Sequence, residues 1–334
     1  MFRSFLPATL AATAALSSIG VQAQSVALYG LVDASASRSR PLGGDYRWQL
    51  DSGNMARSFI GFRGSEDLGG GLSAVFKLES YVRADTGQPG RFDGDAFWGR
   101  DVNVGLSGNF GTTVLGRNVT PLYLATVTFN PFGESLGFSP STRQYFGGAM
   151  LGDRSWNNSL AYMNNPKDAL RVHLAINTPE ASGPTIGRNS GVTLSYITGP
   201  FAVALTAEKI KNSALPLPAG FQRQTVLQAG ASYDFKLVRL YGQLGRIKTD
   251  ATTDSRTALY QLGAAVPIGN SLIMVAYGRA QAKTPLSRIT DRTASLGYDY
   301  FLSKNTDIYV AALYEKSFKV SSGSTFAAGI RLRY

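Results

Sequence analysis

The 334-residue sequence contains no cysteine and a single histidine, His173. A disulfide framework, thiolate chemistry and a zinc site built from Cys and His are therefore excluded. No serine and acid accompany His173 at a spacing that would suggest a nucleophilic triad. Gly69-Gly70-Gly71 lies between two strand-like runs, with no helix after it to cradle a phosphate. The sequence thus points to no enzyme, no metal and no cofactor. Past the amino terminus there is also no apolar run approaching the 20 or so residues of a membrane-spanning helix. Acids are few: 22 Asp and Glu stand against 33 Lys and Arg, a formal charge of +11. The bases are scattered, with no basic arm or helix, which argues against nucleic acid and leaves acidic surfaces and small anions as partners.

What is present begins with an export signal. Arg3 precedes an apolar stretch from Leu6 to Ile19 and a small-residue site at Val21-Gln22-Ala23. This reads as a bacterial signal peptide over 1–23, too short to be a membrane anchor, with the mature chain over 24–334 starting at Gln24. Losing Arg3 leaves a charge of about +10.

A mean hydropathy near zero looks soluble, but a barrel that alternates apolar and polar residues cancels its own signal. Alternation is what this chain shows. In 169–177, Leu170, Val172, Leu174 and Ile176 oppose Arg171, His173 and Asn177. In 306–316, Ile308, Val310, Ala312 and Tyr314 oppose Asp307, Tyr309 and Glu315. In 271–282, Leu272, Met274, Ala276, Gly278 and Ala280 form the small, apolar face, and Arg279 lies on the other. Sixteen such runs can be counted, those at 57–65 and 96–107 among them, and the gaps between them alternate long and short. Short periplasmic turns on one rim and longer loops on the other are the mark of a transmembrane barrel. A soluble β-sandwich would alternate too, but gives no reason for that rhythm. The longest gap, 119–155, is interrupted by Pro121, Pro131 and Pro140, and a loop so long inside a compact domain needs a function. We expect it to fold into the tube and narrow it.

Four segments carry a family resemblance: SVALYGLVDA (25–34), FIGFRGSEDLGGGLSAVFKLE (59–79), NVGLSGNFGTTVLGRN (103–118) and LGYDYFLSKNTDIYV (296–310). In this order they resemble the general trimeric porins of the Gram-negative outer membrane, the β-proteobacterial branch in particular. The terminal STFAAGIRLRY is similar to the barrel insertion signal, though it ends in Tyr334 where the family more often has Phe. The resemblance implies an all-β, 16-stranded antiparallel barrel, a homotrimer, contact with outer-membrane lipid and lipopolysaccharide, and a third extracellular loop folded inward at about 119–155. The implied function is a passive, water-filled diffusion channel for small hydrophilic solutes. The alternative is an outer-membrane binding or adhesion protein whose barrel is only an anchor.

The family sets wall arginines against acids on the loop. Of the three wall positions the resemblance implies, the first falls on Phe59, with Arg63 on the same face nearby; the second is Arg100 and the third Arg154. The loop's acid motif has Pro131 in the acid's place and Glu134 further on, with Phe132 beside it. Arg63, Arg100, Arg154, Glu134, Phe59 and Phe132 are thus the expected constriction. Strand parity adds Lys77, Glu79, Arg83, Arg171, His173 and Arg279 to the pore lining, and bases outnumber acids in that set. The excess predicts anion selectivity. By position, Arg91, Asp93 and Asp95 match the loop that latches onto a neighbouring subunit.

Overall fold

The computed structural model describes residues 25–179, 187–213 and 216–334; the expected signal peptide and its cleavage site lie outside them. The strands are β1 (Ser25–Arg40), β2 (Arg47–Ser52), β3 (Phe59–Gly69), β4 (Leu72–Tyr81), β5 (Val102–Gly108), β6 (Gly111–Val119), β7 (Ser155–Met163), β8 (Leu170–Asn177) and β9 (Ser190–Thr198). They continue as β10 (Phe201–Ile210), β11 (Arg223–Asp234), β12 (Arg239–Asp250), β13 (Ser255–Ile268), β14 (Ser271–Lys283), β15 (Arg288–Phe301), β16 (Thr306–Lys316) and β17 (Gly323–Arg333). Successive strands pair antiparallel, and β17 returns to β1 from Leu31↔Arg333 to Arg40↔Ser324, so the sheet closes and leaves no edge.

The 17 segments make sixteen staves, because β3 pairs with the lower half of β1 (Ser25–Leu31) and β2 with its upper half (Ala34–Ser39). Between them, residues 53–58 leave the ladder. Buried Asp33 holds this break: its carboxylate accepts the amides of Met55 and Ala56 at 2.9 and 2.7 Å, and its own amide donates to Ser58 Oγ at 2.9 Å. Gly53 starts the break at φ +77, where a Cβ would stand 2.9 Å from the Arg57 backbone. The sequence reading runs the second strand through 57–65 and misses both the break and β2. It also starts the strand at 96–107 too early, since β5 begins at Val102 and Arg100 stands just before it.

Alternation explains most of the wall. On β8 Leu170, Leu174 and Ile176 are exposed to the outside, and His173, Ala175 and Asn177 are buried inside. Against water on one side and hydrocarbon on the other, such a strand has one stable orientation. The long gap occupies residues 120–154. It contains helix α1 (Pro121–Thr128), helix α2 (Pro140–Gln144) and a π-helical turn, Tyr145–Ala149. Thr120 and Ser139 cap the two helices by accepting the amides of Tyr123 and Thr142, and each helix begins with proline, whose missing amide costs nothing there.

The loop lies against the inner wall. The buried apolar residues therefore form an arc between loop and wall, with Leu122, Tyr145 and Trp156 meeting Ile210, Val226 and Ile247 at one end. At the other, Phe132 and Phe138 meet Met274, Ala276 and Leu313. Beneath the loop the wall has receded to glycine: a Cβ at Gly230 would sit 2.7 Å from the Phe129 ring, one at Gly263 2.6 Å from Pro131, and one at Gly278 2.6 Å from Pro140. Glutamines replace water as hydrogen-bond partners. Gln243 Nε2 donates to the carbonyls of Thr126 (2.9 Å) and Phe129 (2.8 Å), and Gln261 Oε1 accepts the Ser141 amide (2.8 Å). Buried backbone polar groups must find partners, and here the wall supplies them.

Candidate functional site

Opposite the docked loop, four guanidinium groups surround the Tyr81 ring. Arg57, Arg91, Arg100 and Arg154 stand 5.9, 5.8, 5.6 and 5.6 Å from its centroid. They reach it from three connections: Arg57 from the break between β2 and β3, Arg91 and Arg100 from the loop between β4 and β5, and Arg154 from the end of the constriction loop. Tyr81, at the top of β4, is 1% exposed.

The acids in this cluster are unevenly shared. Arg100 pairs with Glu79 on β4 at 2.8 Å and with Glu134 on the loop at 3.4 Å, and lies 4.2 Å over the Phe59 ring. Burial opposes its charge, but Glu134 and Glu79 outweigh that and hold its pKa above the usual value. Arg91 pairs with Asp95 at 2.8 Å and Asp153 at 2.7 Å, and Asp153 also takes Arg117 at 2.9 Å. Arg57 and Arg154 have no ion pair among the described residues. Arg154 donates to the Tyr81 hydroxyl and lies 4.5 Å over the Tyr123 ring. Burial pulls its pKa down to about 10, still charged at neutral pH. Burial, reinforced by Arg91, also lowers Arg57. Tyr123, on α1, donates to Glu134 at 3.3 Å; burial and then Glu134 push its phenol well above its ordinary pKa, so it stays neutral. In this cluster the loop acids are engaged, and the two charges without an ion pair among the described residues are both positive.

Below it, Arg63 and Lys77 line a recess of about 400 Å³ with Asp101, Asn103 and His173. Lys77 pairs with Asp101 at 3.5 Å, and Arg63 stacks 4.8 Å from the Tyr29 ring. Above it, a vestibule of about 1030 Å³ is bounded by Arg40, Arg47, Arg143 and Glu315.

The sequence expectations fare unevenly against this geometry. Arg100, Arg154, Glu134, Glu79 and Phe59 come together, whereas Arg63 falls one aromatic ring below them. Arg57, two residues before Phe59, brings a further guanidinium to this cluster from the strand break. Phe132, expected at the constriction, is 3% exposed and packs beneath the loop, where a Cβ on Gly297 would lie 2.8 Å from its ring. Arg279, expected in the pore, faces outward between Tyr277 and Gln281, since Gly278 and Ala280 turn in beneath α2. Arg171 shares the inward face of β8 with His173. Arg83 lies past the end of β4, paired with Asp93 at 2.7 Å. Of the three residues expected at a subunit contact, Arg91 pairs with Asp95 and Asp153 of its own chain, and Asp93 pairs with Arg83 while remaining exposed. Missed altogether were Arg57, Tyr81, Tyr123 and Arg117; the pair of residues before Phe59, Arg57-Ser58, was the available signal.

A closed antiparallel barrel with an inward loop and a charged constriction defines a transmembrane channel of the outer membrane. The chain belongs to the Gram-negative porin family, which matches residues 8–317, and it is an outer-membrane porin. It is 29% identical to outer membrane porin protein 32 of Delftia acidovorans, covering 96% of this chain and 92% of that protein. To an outer membrane porin protein of Bordetella pertussis it is 28% identical over 98% and 99% of the two chains. Among solved structures it resembles the anion-selective porin from Comamonas acidovorans, with a TM-score of 0.79 and 25% identity over 93% of this chain and 100% of that one.

Proposed function

We propose that this porin passes small hydrophilic solutes passively, favours anions, and works as a homotrimer. The observation that carries the selectivity is the pair Arg57 and Arg154, charged in the constriction without an acid in contact, while Glu134 and Asp153 on the loop are each taken up by arginine. A passing anion meets uncompensated positive charge inside low-dielectric walls, which concentrate its field, and a cation meets no free carboxylate. Similarity to the Comamonas acidovorans porin supports the same sign.

Reversal potentials in a KCl gradient across a planar bilayer test this directly. Chloride preference is expected, and a clear potassium preference would overturn it. Trimerisation rests on the family resemblance; native electrophoresis before and after boiling should show a heat-sensitive band of three subunits.

A further inference from the structure

The sheet closes where β17 meets β1, and a side chain from the far side of β17 crosses that seam. Cross-strand register puts Asp33 of β1 opposite Arg331 of β17, and Arg331 opposite Asp307 of β16. Arg331 is engaged on the β16 side, by Asp307 at 2.9 Å and by Asp299 of β15 at 2.7 Å. Asp33 takes its partner from the next row, where Tyr309, Gly329 and Ser35 are in register. The Tyr309 hydroxyl passes over β17 and donates to Asp33 Oδ1 at 2.7 Å. Gly329 makes the crossing possible, since a Cβ there would lie 2.6 Å from that hydroxyl oxygen. Asp33 and Tyr309 are both buried, so neither meets a solute.

The remaining polar atoms of Asp33 are all bonded to the break at 53–58. Its Oδ2 accepts the amides of Met55 and Ala56, its amide donates to Ser58 Oγ, and its carbonyl accepts the Gly53 amide at 2.9 Å and the Ser58 hydroxyl at 3.1 Å. Both neighbours of Arg57, Ala56 and Ser58, are thus held by one residue. The break also meets the tip of the constriction loop: Ser135 Oγ donates to the Asn54 carbonyl at 2.6 Å, and Met55 shares an apolar cluster with Phe132, Phe138 and Tyr309. A continuous set of contacts therefore runs from Tyr309 to Asp33, from Asp33 to the break, and from the break to Arg57 and the loop tip. Taking one donor away from a buried carboxylate leaves an acceptor that water cannot satisfy, so the carboxylate moves and the amides bonded to it move with it.

We propose that Tyr309 is a positioning residue for ion selection: through Asp33 it holds the break in the shape that presents Arg57 to passing ions, although it touches no ion itself. Selectivity at the constriction then depends on a clasp across the seam where the barrel closes. The proposal rests on the anion-favouring reading, since it takes the charge of Arg57 as one that ions meet.

Reversal potentials of the full barrel in a KCl gradient, taken as a double-mutant cycle, test it. Tyr309→Phe keeps the ring beside Gly329 and removes only the hydroxyl. It should lower the chloride-to-potassium permeability ratio by about twofold, part of the fourfold or so expected of Arg57→Gln, and Asp33→Asn, which removes an acceptor of the Met55 and Ala56 amides, by the whole of it. In an Arg57→Gln background, Tyr309→Phe should change the ratio by less than about 1.2-fold, because the charge it positions is gone. Tyr314 faces outward on the same strand, and Tyr314→Phe should leave the ratio unaltered. Heat-shifted electrophoretic mobility shows which variants have folded; should Tyr309→Phe or Asp33→Asn fail, the other completes the cycle with Arg57→Gln. A Tyr309→Phe barrel that loses heat resistance but keeps the wild-type ratio would overturn the proposal, as would equal effects of Tyr309→Phe with and without Arg57. The cycle reads coupling and not sign: a potassium-preferring wild type would refute the anion reading, while the coupling between Tyr309 and Arg57 would still decide the clasp.

Discussion

Two arcs of the same inner wall face each other across the pore and follow opposite rules. On β3, β4 and the break before β3, the inward face carries long charged side chains that the loop does not cover with apolar surface: Arg63, Lys77, Glu79 and Arg57. On β9–β15 the face beneath the loop is small, apolar or amide-bearing, as at Gly230, Gly263, Ile247, Gln243 and Gln261, because that arc meets the loop. The loop is thus held by one arc and presented to the other. Inward therefore carries no fixed polarity in this barrel; it takes the polarity of whatever fills the space in front of it.

The strongest way to break this division is to fill a recess under the loop. At Gly245 an added Cβ would collide with the Tyr145 hydroxyl. Gly245→Val should push the π-helical turn off the wall, at a cost above the usual 1–3 kcal/mol or so of overpacking. Single-channel recording should show an altered, noisy conductance, and the temperature at which the barrel loses its heat-resistant mobility should drop. Wild-type values for both would mean the loop is not seated by the glycine arc.

On the charged arc the expected effect is smaller and concerns ions alone. Two unit charges about 5 Å apart in water interact by roughly 0.8 kcal/mol, about fourfold in permeability per arginine removed. Arg57→Gln and Arg154→Gln should each lower the chloride-to-potassium ratio by about that factor, and Arg63→Gln, further from the loop, by less. Reversal potentials decide it. If Arg63→Gln had the largest effect, the selective point would lie in the recess below Tyr81 and not at the loop.

This contrast also explains what could be read from sequence. The barrel was legible because a lipid-facing apolar set recurs at every second residue through β8, β16 and β17, and because the loop rhythm persists. Arg279 was misassigned because on β14 the apolar, small face is the inward one, covered by α2, a contact between residues some 130 positions apart that no local pattern records. Phe132 failed for the same reason, since an aromatic on a pore loop can face either the lumen or the wall behind it. Arg57 was hidden by the strand break, which depends on Asp33 reaching across to the amides of Met55 and Ala56. Arg100 and Arg154 could be found because the motif around each was intact.

The smallest effect concerns the join between the arcs, where Asp153 ties the end of the loop to Arg91 and Arg117. Burial raises the Asp153 carboxyl, but hydrogen bonds from Arg91, and then the charges of Arg91 and Arg117, outweigh it and leave the pKa below the ordinary range. A depressed carboxyl contributes stability that is complete above the unfolded value of about 4 and disappears as pH falls through the lower folded value. The loop should therefore hold its conductance unchanged from pH 7 to about 5 and loosen only below about 4. Asp95, lowered by hydrogen bonds from Arg91 against its burial, adds to the same acid-side loss. Asp153→Asn should bring the acid-induced noise to neutral pH while leaving ion preference nearly unchanged, because Arg57 and Arg154 do not pair with Asp153. A shift in selectivity as large as that of Arg154→Gln would instead place Asp153 among the charges a passing ion meets.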